Sequence, residues 1–264
     1  MVEMAATSEQ TLKLWEDRVT AHVKVAGSGP ALVYLHSGYG LVWDESLDLL
    51  AKDFTVYAPE HPGTSAGDPD AVKPLDDVWD LVLYYYELFD KLGLEAPAVV
   101  GHSFGGMVAA EIAANNPRRV SRLALINPLG LWRDDNPIRN YMVTPQADLD
   151  KLMFADPHNP ARKHVSMNLE DPDSIIRITW ALGCTGKYIW PIPDKGLRKR
   201  AHRIAAPTLI IWGKQDGLTK PIYAEDFKKL IPNSRVEMVD KAAHMTPLEQ
   251  PAVVAKLLRD FLKH

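Results

Sequence analysis

Cysteine is almost absent from this chain. Cys184 stands alone, so no intrachain disulfide can form; the residue reads as a small buried apolar side chain in a protein suited to a reducing compartment. Neither sign of charge dominates: 30 Lys and Arg stand against 34 Asp and Glu, a net charge of −4. That balance argues against any general attraction to nucleic acid or anionic membranes. No apolar run reaches the length that crosses a bilayer. Met1 to Gln10 carries Glu3 and Glu9 and lacks the apolar centre of a secretory signal. The histidines and the one cysteine form neither His-Glu-x-x-His nor Cys-x-x-Cys, so neither a metal nor another cofactor is expected. These absences lead to the expectation of a cytoplasmic protein, monomer or homodimer, with no nucleic-acid or membrane partner.

What is present is enough apolar sequence for a large core. The 264 residues are 46% hydrophobic and 24% charged, ordinary for a globular protein that needs no staple. Strands are predicted near Thr11–Trp15 and Arg18–Val25. The continuous apolar runs Ala31–Leu35, Phe54–Ala58, Ala96–Val100 and Arg122–Ile126 read as further strands, the unbroken ones buried on both faces. Helices are predicted over Asp44–Lys52, Asp76–Leu92 and from Phe104 until Asn115-Asn116-Pro117 stops the chain. The rhythm breaks between Pro128 and Ala205. That stretch has helical segments such as Gln146–Phe154 and Ser174–Leu182 but no convincing strand. It reads as a helical cap over residues 128–205, inserted into a core of residues 1–127 and 206–264. Alternation resumes with a strand at Thr208–Trp212, a helix at Pro221–Leu230, a strand at Arg235–Val239 and a last helix at Leu248–Leu262. Strands alternating with helices imply a mostly parallel sheet covered by helices.

Gly101-His102-Ser103-Phe104-Gly105-Gly106 sits where the Ala96–Val100 strand gives way to a helix. Gly-x-Ser-x-Gly in that setting puts a serine oxygen on a tight, exposed bend. The glycines are needed because the chain reverses within a few residues. The bend also aims the Phe104 amide at the place where an oxyanion would form.

A serine hydroxyl needs a base, and the base an orienting acid. His244 lies in the loop after the strand ending at Val239, and Asp216 in the loop after the Thr208–Trp212 strand. Both therefore reach the same sheet edge as Ser103. Each has a plainer reading, His244 as a surface histidine and Asp216 as a turn-former. The order Ser, Asp, His at successive strand ends favours catalysis. Asp240 is a competing acid, and Asn127, an amide, cannot supply charge.

With these motifs in place the chain resembles the α/β-hydrolase fold superfamily, in its serine hydrolase or esterase form with a helical cap. The resemblance rests on Leu35-His36-Ser37-Gly38, His61-Pro62-Gly63, the Ser103 motif, Trp212-Gly213-x-x-Asp216, and His244 followed by Glu249-Gln250-Pro251. It implies an α/β-hydrolase fold: a mostly parallel eight-stranded sheet with helices on both faces and a cap after the sixth strand. It also implies Ser103 as nucleophile, His244 as base and Asp216 as acid. The oxyanion donors would be the amides of Phe104 and Gly38, with Ser37 where the family usually has glycine. His36, His61 and His102 then read as structural. The activity implied is hydrolysis of a small to medium, fairly apolar ester or lactone, a small-molecule substrate. The alternatives are a carbon–carbon bond hydrolase of the meta-cleavage type, or a ligand-binding homologue with low turnover. Trp132, Met153, Trp180 and Trp190, with Tyr39 and Trp43, are candidate walls of the substrate pocket, or else side chains that fasten the cap. The basic run Leu197 to Arg203 reads as a solvated helix face.

Overall fold

Apolar side chains alternate between two faces along each central strand, and this period of two divides the interior into two cores. In β3 (Ala31–Leu35), Val33 and Leu35 enter one core while Leu32 and Tyr34 enter the other. The same division holds in β6 (Arg122–Ile126) and β7 (Thr208–Gly213): Leu123, Leu125, Ile210 and Trp212 face one side, and Ala124, Ile126, Leu209 and Ile211 the other. A sheet buried on both faces needs continuous apolar runs, which these strands have. The molecule is described from a computed structural model over residues 6–65, 68–168 and 170–263. The first half of the Met1 to Gln10 stretch lies outside them.

The remaining strands are β1 (Ser8–Leu14), β2 (Val19–Ala26), β4 (Thr55–Pro59), β5 (Ala98–His102) and β8 (Ser234–Val239). They form one eight-stranded sheet in the order β1-β2-β4-β3-β5-β6-β7-β8. β2 pairs antiparallel with β1 and with β4, and every other pairing is parallel. The first core lies under α2 (Val78–Lys91), α3 (Phe104–Asn115) and α6 (Ile222–Leu230). The second lies under α1 (Glu45–Leu50) and α8 (Pro251–Leu262). Helices thus cover both faces of an α/β-hydrolase sheet. Asp44 and Asp77 start α1 and α2, each carboxylate accepting two amides of the first turn.

Three expectations need correction. The last helix is two: α7 (Thr246–Glu249) and α8, separated at Gln250. Pro251 has no amide hydrogen and drives the residue before it out of the helical region. Between β6 and β7 lie α4 (Gln146–Met153) and α5 (Pro172–Ile189), with no strand among the described residues. α5 runs well past Leu182, through Gly183 and Gly186. At Gly186 the missing side chain makes room for the Met142 sulfur. The basic run is not a solvated helix. It forms two short 3-10 turns, Leu197–Lys199 and Ala201–Arg203, with Leu197 and Ala201 buried. Arg200 makes two hydrogen bonds to the buried carboxylate of Glu111 on α3, at 2.9 and 2.6 Å. Arg198 and Arg203 donate to the carbonyl oxygens of Trp132 and Asn115. Arg200 and Arg203 fasten this segment to α3, and Arg198 ties it to the chain just after β6. Cys184 is buried as expected, and burial pushes its thiol up to about 11.

α3 presses against the sheet so closely that a methyl group on Gly105 would overlap the carbonyl oxygens of Leu35 and His36. Backbone cannot move aside as a side chain can. Gly105→Ala should therefore lose about 3 kcal/mol of stability, seen as a lower urea midpoint; an unchanged midpoint would contradict this packing.

Candidate active site

The chain turns sharply between β5 and α3, and Ser103 is the turn. Its backbone has φ 55° and ψ −114°, outside the regions that ordinary residues occupy. Strain of this kind costs about 1–3 kcal/mol and persists only when the surroundings enforce it. Here the Ser103 amide donates to Ile126 O at 2.9 Å, and Ser103 O accepts from Leu129 N at 3.0 Å and Met107 N at 3.1 Å. Side chains at Gly101 and Gly106 would collide with the Gly105 carbonyl and with Pro128. Although Ser103 stands at the start of α3, its hydroxyl does not cap the helix. It turns instead to His244.

The Ser103 hydroxyl lies 2.7 Å from His244 Nε2, and His244 Nδ1 lies 2.9 Å from Asp216 Oδ2. The imidazole is fully buried. Nδ1–H facing the carboxylate leaves Nε2 as an acceptor for the serine proton. Asp216 is held in turn. Its Oδ1 accepts the amides of Leu218 at 2.9 Å and Thr219 at 2.8 Å; Oδ2 accepts the Thr219 hydroxyl and the Asn127 side-chain amide, each at 2.7 Å. Thr219 O is itself bound by the Trp212 indole N–H at 2.8 Å. Asn127 Oδ1 accepts the Thr246 hydroxyl at 2.8 Å. The Asp216 carboxyl group is therefore locked in place with its lone pairs occupied, as burial of a polar group requires.

Asn127 and Thr219 were not legible as partners of Asp216. A signal existed for Thr219: a hydroxyl residue three positions after an aspartate commonly closes a turn on it. Asn127 follows β6, so topology alone brings it to the same edge. Asp240 is elsewhere; it is exposed and pairs with Lys214 at 2.8 Å.

The loop from His36 to Gly40 is braced by neutral histidines. His61 N donates to His36 Nε2 at 3.0 Å, so His36 carries its proton on Nδ1, 2.6 Å from Ser37 O. His61 Nε2–H donates to His36 O at 2.9 Å, and the Tyr85 hydroxyl meets His61 Nδ1. His36 O also accepts Gly105 N at 3.1 Å, tying the loop to α3. Ser37, the departure from the usual glycine, accepts the Tyr39 amide at 3.4 Å and closes the turn. Gly38 sits within this braced loop. Phe104 opens α3, where a helix leaves its first amides free. His102 Nε2–H donates to the carbonyl oxygen of His244 at 2.8 Å and holds the backbone of that residue. Glu249 accepts Ala243 N at 2.7 Å and Ala155 N at 2.8 Å, joining the base loop to the segment after α4. Burial pushes its carboxyl up.

The structure brings Ser103, His244 and Asp216 into contact. Tyr39 is buried, and Met153 O accepts Met245 N at 3.0 Å. The tryptophans lie further out. Trp43 donates to Asp48 at 2.9 Å and packs against the core beneath α1. Trp180 is 45% exposed and donates to Gly63 O at 2.8 Å. Trp190 is 54% exposed and shares a shallow cavity with Trp132, whose indole bonds Asp134. Among the described residues no cluster of side chains could hold a metal, and no helix is long and apolar enough to cross a membrane.

Comparison with known proteins agrees with this architecture. The sequence profile of the Alpha/beta hydrolase family matches residues 32–257. The monoacylglycerol lipase ABHD6 of Bos taurus is 29% identical over 259 residues, covering 89% of this chain and 76% of that protein. The pimeloyl-[acyl-carrier protein] methyl ester esterase of Vibrio campbellii is 26% identical, covering 91% of this chain and 97% of that protein. Among solved structures, a 2-hydroxy-6-oxo-6-phenylhexa-2,4-dienoate hydrolase from Rhodococcus sp. strain RHA1 superposes with a TM-score of 0.75 at 19% identity, covering 99% of this chain and all of that one.

The histidine brace has a consequence for acid stability. Burial holds His61 down at about 4 and His102 at about 3, and pushes His36 well below its ordinary value of 6.5. The unfolded chain, titrating near 6.5, binds more protons in between. Stability is therefore complete above pH 6.5 and falls on acidification, by on the order of 3 kcal/mol for His61 alone by pH 4. Thermal melts from pH 7.5 to 4.5 should show a falling midpoint; a flat profile would mean the rings are not buried neutral.

Proposed function

This chain belongs to the Alpha/beta hydrolase family, and within it we propose a serine hydrolase that cleaves carboxylic esters through an acyl-enzyme on Ser103. One observation carries the reading: an unbroken chain of contacts from the Ser103 hydroxyl through His244 to Asp216, at 2.7 and 2.9 Å. Hydrolases are what the family and its relatives support, and the two curated relatives described above are named for acting on esters. The solved carbon–carbon bond hydrolase shares the fold at an identity too low to carry its reaction.

In the proposed mechanism His244 Nε2 takes the proton as Ser103 Oγ bonds to the ester carbonyl carbon. The carbonyl oxygen becomes an oxyanion received by the Phe104 and Gly38 amides. Each such donor is worth about 3 kcal/mol in the transition state. His244 then protonates the departing alkoxide, leaving an acyl-serine. Water, deprotonated by His244, attacks that ester and releases the carboxylic acid and free Ser103. Asp216 keeps the imidazole in the tautomer this needs and stabilises the imidazolium that forms. Residues 128–205 form the cap over this centre in our reading, with Tyr39 and Met153 in the substrate's surroundings and the tryptophans at its rim.

p-Nitrophenyl butyrate should be hydrolysed, and a fluorophosphonate probe should label Ser103. Ser103→Ala should abolish labelling and, like His244→Ala, lower kcat by roughly 10⁴-fold or more. Equal turnover by Ser103→Ala and the unaltered enzyme would sink the proposal.

A further inference from the structure

The polar groups of the triad and its supports are paired, from Ser103 through Asp216 to Thr246. Four buried phenols among the described residues are not, those of Tyr39, Tyr84, Tyr141 and Tyr188, and two of them, Tyr39 and Tyr141, lie at Gly38. Tyr39 and Tyr141 are both more than nine-tenths buried, and neither phenolic oxygen has a hydrogen-bond partner. Tyr39 directly follows Gly38. Tyr141 comes from the chain between β6 and β7, and its ring centre lies 6.1 Å from that of Tyr39. Its hydroxyl hangs over Gly38, only 3.2 Å from where a methyl group on that glycine would lie. The position without a side chain in the loop is thus the position that the phenol overlooks. Thr185 of α5 reaches the same point, at 3.1 Å, but its hydroxyl is already engaged with Ala181 O at 2.9 Å and Gly38 O at 3.3 Å. Thr185 draws the Tyr141 phenol down against the larger upward push of burial, yet neither phenol at Gly38 has a partner in hydrogen-bond geometry.

A buried hydroxyl without a partner is costly, and a ligand that brings an acceptor relieves that cost. Purely apolar walls would have been met as well by phenylalanine. We propose that Tyr141, assisted by Tyr39, is a specificity-determining residue. Its hydroxyl would hydrogen-bond an oxygen atom that the substrate carries within a few bonds of the ester group. The substrate class is then an oxygen-substituted ester (alkoxy, hydroxy or oxo) rather than a plain hydrocarbon one. This rests on the ester-hydrolase reading and narrows it. A site built to bond an oxygen discriminates against the analogue lacking it far better than an apolar wall distinguishes shapes.

Isosteric ester pairs test the idea on either side of the scissile bond. p-Nitrophenyl methoxyacetate is compared with p-nitrophenyl butyrate, and 2-methoxyethyl butyrate with butyl butyrate. In Tyr141→Phe, kcat/KM for the oxygen-bearing member of at least one pair should fall about tenfold while its hydrocarbon isostere changes less than twofold. Intrinsic reactivity cancels because each ester is compared between enzymes. Tyr39→Phe should shift the same ratio in the same direction, and reads it independently if Tyr141→Phe unfolds early. An equal loss on both members would mean that the hydroxyl serves the transition state common to all esters, and would overturn the proposal; so would no loss at all. Ser103-dependent turnover with unchanged selectivity would sink this inference alone. Absence of Ser103-dependent turnover of every ester would sink the parent reading with it.

Discussion

The backbone of Ser103 is the constraint on which the rest depends. An L-residue at φ 55° and ψ −114° is unfavourable, and nothing local to the serine makes it less so. What holds it is the close approach of three chain segments: β3, whose carbonyl oxygens leave no space beside Gly105; β5, which ends in the bend; and the Pro128 turn against Gly106. Each approach needs a glycine, and each glycine is useful only because the sheet brings its neighbour there. The strained serine and the tightly packed α3 are one feature, and the hydroxyl faces His244 because the backbone leaves it little choice.

Around this bend lies a shell of buried polar groups with a common logic. Asp216 takes five hydrogen bonds, that from His244 included, a number suited to a carboxyl group kept from water. His36, His61 and His102 are the opposite case, bases kept uncharged by burial and used as directional linkers between backbone segments. One brace holds the Gly38 loop and another holds the His244 carbonyl. A preorganised site of this type does not need to reorient its dipoles as charge develops. Against that background the phenols of Tyr39 and Tyr141 meet beside Gly38 without a hydrogen-bond partner.

The similarity to known hydrolases bears on architecture and reaction class and stops there. Monoacylglycerol, a methyl ester and a dienoate are named for proteins that share this fold. Sheets of this kind host many reactions, and the reacting group is chosen by side chains outside the sheet. Here the segment between β6 and β7 lies outside the sheet. Arg200 with Glu111 and Glu249 with two backbone amides tether it to the sheet domain at separate points.

Strand and helix positions were legible because burial on two faces demands unbroken apolar runs, and Val33, Ala124 and Ile210 sit in such runs. The Ser103 bend was legible too, since only small residues pass through so tight a turn. The order of Ser103, Asp216 and His244 followed from parallel topology, which delivers every strand's end to one edge. Boundaries were less readable. Pro251 interrupts a pattern of apolar residues that continues across it, so periodicity alone joined two helices. Interactions between distant segments left no local mark. Asn127 looked like a poor acid and is a donor to one; Arg200 looked solvated and is paired with a carboxylate inside α3. Tyr141 carried no signal at all, because its place over Gly38 depends on how the inserted helices lie on the sheet. Sequence by itself determined the elements, their alternation and the sheet edge that Ser103, Asp216 and His244 share, since these follow from local period and chain reversal. Tertiary structure decided which polar groups meet and which stay unpaired, because hydrogen bonding depends on distances of a few tenths of an ångström between residues far apart in the chain.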